Sequence, residues 1–364
     1  KIAINTGGGD APGLNAVIKA AVISALNRGW EIIGIREGYN GIYHLDQFPN
    51  GTGLIKLTYD LVRTITSDGG TILGTTNRGN PFRFPMKTTD GKIVEVDRSD
   101  EIMAGFKRND IDALIAIGGD GSLTMANLFA KKGLRVVGVP KTIDNDLEQT
   151  AMTFGFDTAV SFATECIDRL HTTAQSHSRI MVVEVMGRYA GWIALNSGIS
   201  ASADVILIPE IPYDKNVIAD FINNKVSKSK NYCIVVVAEG ARSKGGDISI
   251  IEHEAGKSER LGGAGEKIAR DLSNLCKLEV RAAILGHLLR GGSPTTFDRL
   301  LSLRFGAAAV RALEQGHSGV MVAYDPPAGM KYVQLDEVAN KTKMVKLNSD
   351  TLQTARDLGI CFGD

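Results

Sequence analysis

Neither sign of charge is in excess in this sequence. Lysine and arginine together number 41, and so do aspartate and glutamate, so the formal net charge is zero. A general nucleic-acid binder, or a protein that binds anionic membranes, usually carries a basic excess. The composition therefore predicts that neither nucleic acid nor membrane is a partner, although it does not exclude a local basic pocket.

Cysteines and long apolar runs are also scarce. The four cysteines, Cys166, Cys233, Cys276 and Cys361, lie far apart and form no CxxC pair. This spacing supports neither a zinc site nor a disulfide framework. No apolar run approaches the roughly 18 residues that predict a membrane-spanning helix. These features are typical of a reduced, cytoplasmic protein.

Glycine, by contrast, is abundant, with 41 copies in 364 residues, against about 7% in average proteins. Glycines in excess often mark tight turns and places where the backbone approaches a ligand closely. At roughly 100–200 residues per domain, the length predicts two domains.

Short β-branched runs alternate with helical patterns along the chain. The runs that predict strands are residues 2–5, 31–35, 113–117, 135–139, 180–185, 205–208, 234–238 and 282–285. Because they are apolar throughout, they suit strands buried on both faces of a parallel sheet. Amphipathic helices are predicted between them, as at 16–27 and 297–313. The expected fold is α/β, with mostly parallel sheets divided between two domains.

Two segments interrupt this alternation. Residues 82–97 predict a β-hairpin that turns at Asp90-Gly91. Residues 241–262 are rich in glycine and charge, and they predict a surface loop. Because ligands of open α/β sheets bind at the carboxyl ends of the strands, we look for the chemistry in the loops that follow each strand.

Two of these loops are glycine-rich and lead into helices. TGGGDAPGLN occupies residues 6–15, and GGDGS occupies residues 118–122. Bare backbone at a helix N-terminus attracts phosphate, and the carboxylate of Asp120 could reach a divalent cation. The alternatives are tight turns without a ligand, with Asp120 as a helix N-cap.

A third loop, PKTIDND at residues 140–146, carries Asp144 and Asp146. On extended backbone, carboxylates two residues apart point the same way. Such proximity is costly unless a cation or a proton transfer explains it. We therefore predict Asp146 near Mg²⁺ and Asp144 as the acceptor of a hydroxyl proton, with a solvated acidic loop as the alternative.

Basic residues collect around the later strands: Arg179 lies before one strand and Arg188 after it, and Arg281, His287 and Arg290 lie further along the chain. A neutral protein that holds phosphorylated ligands needs such a local cluster, and the guanidinium fork binds phosphate oxygens bidentately. Taken singly, each arginine is also compatible with a solvated surface residue, and His287 with a structural histidine.

Together these motifs resemble the phosphofructokinases of glycolysis. The matching segments are residues 6–15, 118–122, 140–146, 185–188 and 286–294, in the family's order and spacing across roughly residues 1–315. The resemblance implies two Rossmann-like doubly wound domains with the active site in the cleft between them. It also implies Mg²⁺-dependent transfer of the γ-phosphoryl group of ATP to O1 of fructose 6-phosphate.

The resemblance implies a role for each matched residue. For catalysis it implies Asp144 as the base, Thr142 at the transferring phosphoryl group, and Arg188 beside them. For fructose 6-phosphate it implies Thr142, Asp144, Met186, Gly187, Arg188, Glu239, His287 and Arg290. For the nucleotide it implies Gly9, Tyr39, Asn77, Arg78, Gly119, Asp120, Gly121 and Ser122, where Asn77 replaces a phosphoryl-bridging arginine and Arg78 stands next to it. For Mg²⁺ it implies Asp120 and Asp146.

Assembly and domain boundaries follow from the same resemblance. Family members close the sugar site with two arginines of a neighbouring subunit, here Arg179 and Arg281, so a homotetramer is expected. The nucleotide domain would comprise residues 1–150 with about 290–340. The sugar domain would comprise residues 151–289 with about 341–364.

The phosphoryl donor depends on two positions, Gly121 and Lys141. Pyrophosphate users in the family carry Asp and then Lys at these positions, and the familiar bacterial ATP users carry Gly in both. Gly121 leaves room for the α-phosphate of ATP, whereas Lys141 adds a charge that either donor could accept. We therefore expect ATP, with a reversible pyrophosphate-dependent enzyme as the alternative.

Two rival functions come from other classes of protein. An NAD or lipid kinase shares the GGDG loop but lacks the segments at 142–146 and 286–294. A non-catalytic subunit on the same scaffold would have lost Asp144 or a phosphate-binding arginine, and none of these is missing.

Overall fold

Strands and helices alternate along the chain, and each predicted strand is present. The structure, a computed structural model, describes residues 1–44, 46–88, 91–228, 231–252 and 260–364. The strands are β1 (Ile2–Thr6), β2 (Ile32–Ile35), β3 (Leu54–Lys56), β4 (Phe84–Lys87), β5 (Ile93–Val96), β6 (Ala113–Gly118), β7 (Arg135–Pro140), β8 (Arg179–Val185), β9 (Val205–Leu207), β10 (Cys233–Ala238), β11 (Ile250–Glu252), β12 (Arg260–Leu261), β13 (Glu279–Ile284), β14 (Val320–Asp325) and β15 (Gly329–Gln334). The helices are α1 (Leu14–Leu26), α2 (Asn40–Tyr43), α3 (Tyr59–Val62), α4 (Ser99–Arg108), α5 (Asp120–Lys131), α6 (Phe156–His177), α7 (Trp192–Ser200), α8 (Lys215–Lys228), α9 (Ala264–Leu275), α10 (Thr296–Glu314) and α11 (Asp350–Asp357).

The strands form two main sheets. One has the order β15-β14-β7-β6-β1-β2-β3, and the other has the order β13-β8-β10-β9. The second sheet is parallel throughout, whereas the first has an antiparallel strand at each edge, β3 and β15. The predicted α/β class with mostly parallel sheets is therefore confirmed.

Each sheet is covered by helices on both faces. Along β1, Ile2 and Ile4 pack with residues of α1 and α10, whereas Ala3 between them packs with residues of α4 and α5. The second sheet repeats this arrangement, with Val183 facing α6 and α7 and Val182 facing α8 and α9. Because both faces of the central strands are buried, these strands need apolar residues at almost every position, which explains why they do not alternate with polar ones. The edge strand β13 differs: most of its residues are exposed, so the predicted burial of 282–285 on both faces is wrong.

The chain order of the strands fixes where a ligand can bind. β1 lies between β2 and β6, so the chain leaves β1 toward one side of the sheet and later returns on the other side. The loops that follow β1 and β6 therefore diverge and leave a crevice at the carboxyl edge, as in other doubly wound sheets. Among the described residues, no helix is both long and apolar enough to cross a membrane.

The two predicted interruptions have different outcomes. β4 and β5 pair antiparallel, which confirms the hairpin, although Asp90 of its predicted turn at Asp90-Gly91 lies outside the described residues. β11 and β12 form a second two-stranded sheet within the predicted surface loop, and residues 253–259 of that loop lie outside the described residues.

Candidate active site

A cleft of about 1210 Å³ lies at the carboxyl ends of the strands of both sheets. Loops that follow β1, β6 and β7 line one side, and loops that follow β8, β10 and β13 line the other. The predicted site residues that line it are Gly9, Tyr39, Asn77, Arg78, Gly119, Asp120, Gly121, Ser122, Lys141, Thr142, Asp144, Asp146, Met186, Arg188, Glu239, His287 and Arg290. Gly187, Arg179 and Arg281 do not line it.

The first glycine loop packs tightly against other parts of the cleft wall. Gly7 and Gly8 donate backbone N–H groups to the carbonyls of Ile117 and Thr76, both at 2.9 Å. A Cβ on Gly9 would lie 2.9 Å from Nη1 of Arg290. Glycine at this position therefore allows the guanidinium of Arg290 to approach the loop.

The second glycine loop begins helix α5. Gly119 is the N-cap and Asp120 is the first helical residue, so the alternative of Asp120 as the N-cap is wrong. The Asp120 carboxylate instead accepts the N–H of Asn340 at 2.7 Å, and burial raises its pKa. A Cβ on Gly121 would meet no atom within 4 Å, so this position opens onto free space.

The acidic loop after β7 is buried, and it turns. Asn145 has a φ of 52°, in the left-handed region, so the expected extended backbone between the two aspartates is wrong. Both carboxylates nevertheless line the cleft. The N–H of Asp144 donates to Oγ1 of Thr142 at 3.0 Å, and its own Oδ1 is buried without a partner among the described residues. Burial and the nearby Asp144 raise the pKa of Asp146 to about 6.

Lys141 is buried below the first glycine loop. Only 3% of this residue is exposed, and its Nζ lies 3.4 Å from the position that a Cβ of Gly8 would take. Burial and the neighbouring Arg290 lower the pKa of Lys141 to about 8, although Asp144 and Asp146 oppose this shift. Its ammonium therefore lies between the glycine loop and the acidic loop.

Three residues from the second sheet face the acidic loop across the cleft, namely Met186, Arg188 and Glu239. Oε1 of Glu239 accepts the backbone N–H groups of Gly187 at 3.3 Å and Arg188 at 2.9 Å. Gly187 adopts a φ of 147°, and a Cβ there would lie 2.6 Å from the carbonyl oxygen of Ala190. Burial raises the pKa of Glu239 to about 7.

The remaining basic residues of the cleft lie on the 3-10 helix Gly286–Arg290, which follows β13. His287 and Arg290 both line the cleft, and Nη1 of Arg290 donates to the carbonyl of Asp10 at 3.1 Å. This contact connects a loop of the second sheet to the first glycine loop.

Asn77, Arg78 and Tyr39 line the cleft beside the first sheet. The N–H of Arg78 donates to Oγ1 of Thr76 at 3.1 Å, and the ring of Tyr39 packs 5.0 Å from that of Phe129. Asn77 and Arg78 therefore both reach the cleft.

Arg179 and Arg281 lie outside this cleft on neighbouring strands. Nε of Arg179 lies 2.5 Å from a carboxylate oxygen of Glu279, and Arg281 pairs with the other oxygen of the same carboxylate. The Arg281 side chain is 58% exposed. Neither residue therefore lines the cleft of its own chain.

Sequence reasoning missed several residues of the cleft wall. Glu184 lies near the end of β8, and its carboxylate accepts the N–H groups of Gly263 at 3.2 Å and Gly265 at 2.7 Å. Leu261 and Gly262 also line the cleft, so the end of the predicted surface loop is part of the site rather than solvent-exposed. No motif marked these residues, because they come together only when α9 packs against β8.

The chain matches a family model described as phosphofructokinase over residues 1–313. The chain belongs to the phosphofructokinase family. It is 48% identical to the ATP-dependent 6-phosphofructokinase 2 of Clostridium perfringens over 100% of this chain and 98% of that one. It is 46% identical to the pyrophosphate–fructose 6-phosphate 1-phosphotransferase of Amycolatopsis mediterranei over 89% and 90% of the two chains. The motifs at 6–15, 118–122 and 140–146 therefore identified the family correctly.

The fold agrees with this family. The phosphofructokinase structure from Saccharomyces cerevisiae superposes with a TM-score of 0.78 at 30% identity and covers 92% of this chain. The chain spans 45% of the length of that yeast chain. The predicted arrangement of two Rossmann-like units with mostly parallel sheets is confirmed.

Proposed function

We propose that this phosphofructokinase transfers the γ-phosphoryl group of ATP to O1 of fructose 6-phosphate, which yields fructose 1,6-bisphosphate and ADP. The observation that carries the proposal is the buried Oδ1 of Asp144, which lines the cleft and has no partner in the described part of the chain. A carboxylate in this state can accept the proton of an attacking hydroxyl group. The new O1–P bond then forms as the bond between the β,γ-bridging oxygen and the γ-phosphorus breaks, and ADP leaves.

Cationic groups around Asp144 support the proposal. Lys141, Arg188 and Arg290 line the same cleft, and charge on transferring phosphate oxygens is stabilised by such fixed cations. We assign His287 and Arg290 to the 6-phosphate, with Met186, Gly187 and Glu239 around the sugar. Arg188 also stands beside the transferred group.

The two glycine loops are assigned to the nucleotide. Gly9, Gly119 and Ser122 present backbone and a hydroxyl group to the cleft, and the N-terminus of α5 favours a negatively charged ligand. Gly121 leaves free space where an α-phosphate can lie. Tyr39, Asn77 and Arg78 line the same end of the cleft.

Asp120 and Asp146 are the carboxylates that we propose for Mg²⁺. In the described part of the chain, no group of three metal-ligating side chains is present. Two carboxylates fit this ion, because Mg²⁺ usually binds one or two of them together with phosphate oxygens and water. When bound, the ion would neutralise charge on the transferring phosphates.

The two candidate functions differ in their phosphoryl donor, which is ATP in one and pyrophosphate in the other. Relatives of 44–48% identity over the full chain are named ATP-dependent, whereas the Amycolatopsis relative is named for pyrophosphate. Gly121 favours ATP because its open space admits an α-phosphate, which pyrophosphate does not have. Lys141 is the residue that favours the pyrophosphate-dependent alternative.

The deciding experiment measures initial rates with fructose 6-phosphate and Mg²⁺, with ATP or pyrophosphate as the sole donor. We expect kcat/KM to favour ATP by about a hundredfold, which corresponds to roughly 2.7 kcal/mol of transition-state discrimination. A preference for pyrophosphate would mean that Lys141 outweighs Gly121. The enzyme should then also catalyse the reverse reaction readily.

Assembly, domain boundaries and location are further parts of this proposal. We propose a cytoplasmic homotetramer in which Arg179 and Arg281 complete a neighbour's sugar site. Support comes from their position outside the cleft of their own chain. We assign residues 1–150 and about 290–340 to the nucleotide domain, and residues 151–289 and about 341–364 to the sugar domain.

A further inference from the structure

The segment after β15 passes directly behind the acidic loop. Thr342 forms an antiparallel bridge with Leu147, and the N–H of Lys343 donates to the carbonyl of Asp146 at 2.8 Å. This segment lies beyond the residues that match the family model. It is nevertheless in direct backbone contact with the loop to which we assign the catalytic base.

The same segment is fixed on its other side to the second sheet. The carbonyl of Lys343 accepts the indole N–H of Trp192 at 2.8 Å, and the N–H of Val345 donates to Oε1 of Glu210 at 2.8 Å. Trp192 begins α7, which packs against the second sheet. Lys343 therefore connects the acidic loop to an element that belongs to the sugar side of the cleft.

The ammonium of Lys343 has an acceptor for each of its three protons. It donates to Oδ1 of Asn145 at 3.0 Å, to the carbonyl of Thr150 at 3.0 Å and to the carbonyl of Ala151 at 3.3 Å. An ammonium group offers three donors, so this arrangement satisfies it fully. Replacing it by an apolar group would remove this donor from the carbonyls of Thr150 and Ala151 and would leave Oδ1 of Asn145 with the N–H of Thr153 alone.

Asn145 connects this ammonium to the acidic loop by a hydrogen bond, and the ammonium also interacts electrostatically with Asp146. Asn145 stands between Asp144 and Asp146 with a φ of 52°, a conformation that asparagine tolerates better than most residues. Its Oδ1 accepts the N–H of Thr153 at 3.2 Å as well as the Lys343 ammonium. The side-chain amide of Asn145 thus helps to hold the turn from which both carboxylates enter the cleft, together with the hydrogen bond from the Lys343 N–H to the carbonyl of Asp146.

We infer that Lys343 is a positioning residue for phosphoryl transfer: its ammonium holds the turn at Asn145, and with it the carboxylates of Asp144 and Asp146, in the orientation that faces the cleft. The inference rests on the proposed function. Lys343 does not line the cleft itself, so it acts on the reaction through Asn145 and not by touching substrate.

Lys343→Met tests this role. Because small misplacement of a catalytic group costs up to about a hundredfold in rate, we expect kcat to fall by ~10- to 100-fold. The KM values for ATP and fructose 6-phosphate should stay within about twofold, since the residues assigned to binding are untouched. Lys346→Met is the matched control, because Lys346 is exposed in the same segment; its kcat should equal that of the unmodified enzyme.

A rescue and a double-mutant cycle separate positioning from a merely structural role. Lys343→Arg retains a cation with several donors and should recover most of the lost kcat. In Asn145→Gly, glycine tolerates the positive φ but lacks the side-chain amide. This variant should lower kcat by about as much as Lys343→Met does. If Lys343 acts through Asn145, the double variant should be little slower than either single variant, because effects that share one contact are not additive.

Three outcomes would overturn the inference: a kcat per folded molecule that is unchanged in Lys343→Met, an increase in KM alone, or single effects that multiply in the double variant. If Lys343→Met does not fold, Lys343→Arg and Asn145→Gly give the same comparison. Failure of the proposed function is distinguishable, because the unmodified enzyme would then show no activity on fructose 6-phosphate with either donor.

Discussion

Burial of the Asp144 carboxylate is energetically unfavourable unless a substrate completes its hydrogen bonding. Its Oδ1 is buried and has no partner in the described part of the chain, although buried carboxylate oxygens are normally bonded. This oxygen can therefore accept a hydrogen bond from the hydroxyl group of a bound sugar. This is the arrangement that a general base requires.

Asp144→Ser should lower kcat by about 10²- to 10⁴-fold, the usual contribution of a general base. The dissociation constant for fructose 6-phosphate should stay near that of the unmodified enzyme, because the phosphate-binding arginines remain. Steady-state kinetics and calorimetric titration measure the two quantities. Loss of binding with an unchanged kcat would show that the base has been assigned to the wrong residue.

Gly121→Asp should lower kcat/KM for ATP by ~10- to 100-fold, because a carboxylate in the free space would repel the α-phosphate. Gly121→Ala is the control: a Cβ there meets no atom within 4 Å, so this variant should resemble the unmodified enzyme. The comparison uses initial rates at saturating fructose 6-phosphate. An equal loss in both variants would mean that space and not charge governs the donor.

At this scale, sequence motifs predicted the cleft residues well where the residues are close in the chain. Residues 118–122 and 140–146 follow buried strands directly, so strand assignment also placed their side chains at the carboxyl edge. The contact between Lys343 and Asn145 could not be predicted, because 198 positions separate them and neither stands out in composition. Glu184 was missed because a glutamate in a buried strand carries no motif.

Among the secondary-structure elements, helices α6 and α10 meet at their N-termini and are joined by side-chain hydrogen bonds. Oδ2 of Asp298 accepts the N–H of Thr158 at 2.8 Å and its hydroxyl at 2.6 Å. In return, Thr295, the N-cap of α10, donates its hydroxyl to Asp157 at 2.6 Å. A backbone N–H group in the first turn of α6 is thus satisfied by α10.

The stability of this junction should depend on pH. Burial raises the pKa of Asp298 from 3.8 to about 6. Because the folded pKa exceeds the unfolded one, the contribution to stability is full below pH 3.8 and is lost as the pH rises through 6. Asp298→Asn removes this dependence. The free energy of unfolding of the variant minus that of the unmodified protein should therefore increase as the pH rises from 4 to 7, by up to about 3 kcal/mol.

Urea denaturation of both proteins at several pH values measures this difference. The contributions of the other carboxylates are the same in both proteins, so they cancel when the two free energies of unfolding are subtracted. A constant difference across this pH range would mean that Asp298 is ionised throughout, held by the two helix N-termini.

The elements also show which strands the sequence can predict. Strands β8, β9 and β10 of the second sheet were predicted because burial on both faces requires unbroken apolar runs such as 234–238. The edge strand β13 was predicted from its apolar residues 282–285, although most of its residues are exposed. In the first sheet, β3, β14 and β15 were not predicted. β3 and β15 are antiparallel edge strands that tolerate residues such as Lys56 and Lys331, and β14 pairs with its parallel neighbour β7 at only two positions.

For the whole molecule, the cleft needs loops from both sheets, so neither half can act alone. Asp144 comes from the first sheet, whereas Arg188 and Glu239 come from the second. Arg179 and Arg281 pair with Glu279 on an edge strand outside the cleft, and we propose that they serve the site of a neighbouring chain. A symmetric pair of chains would then share two sites, each with residues from both chains.

Mixing two inactive variants tests this sharing directly. Asp144→Ser and Arg281→Ala should each be nearly inactive when they assemble alone. In a pair that contains one chain of each, one site carries both lesions and the other carries neither, because Asp144 and Arg281 of that site come from different chains. A statistical mixture should therefore recover roughly a quarter of the unmodified activity.

The control is a mixture of Asp144→Ser with Thr142→Ala. Both residues belong to the same loop of one chain, so no pairing of these two variants produces a site in which both residues are intact. This mixture should stay as inactive as its components. If the Asp144→Ser and Arg281→Ala mixture behaves in the same way after the subunits have demonstrably exchanged, then Arg281 serves its own chain. The exposed ion pair with Glu279 would then have to open for the guanidinium to reach the cleft.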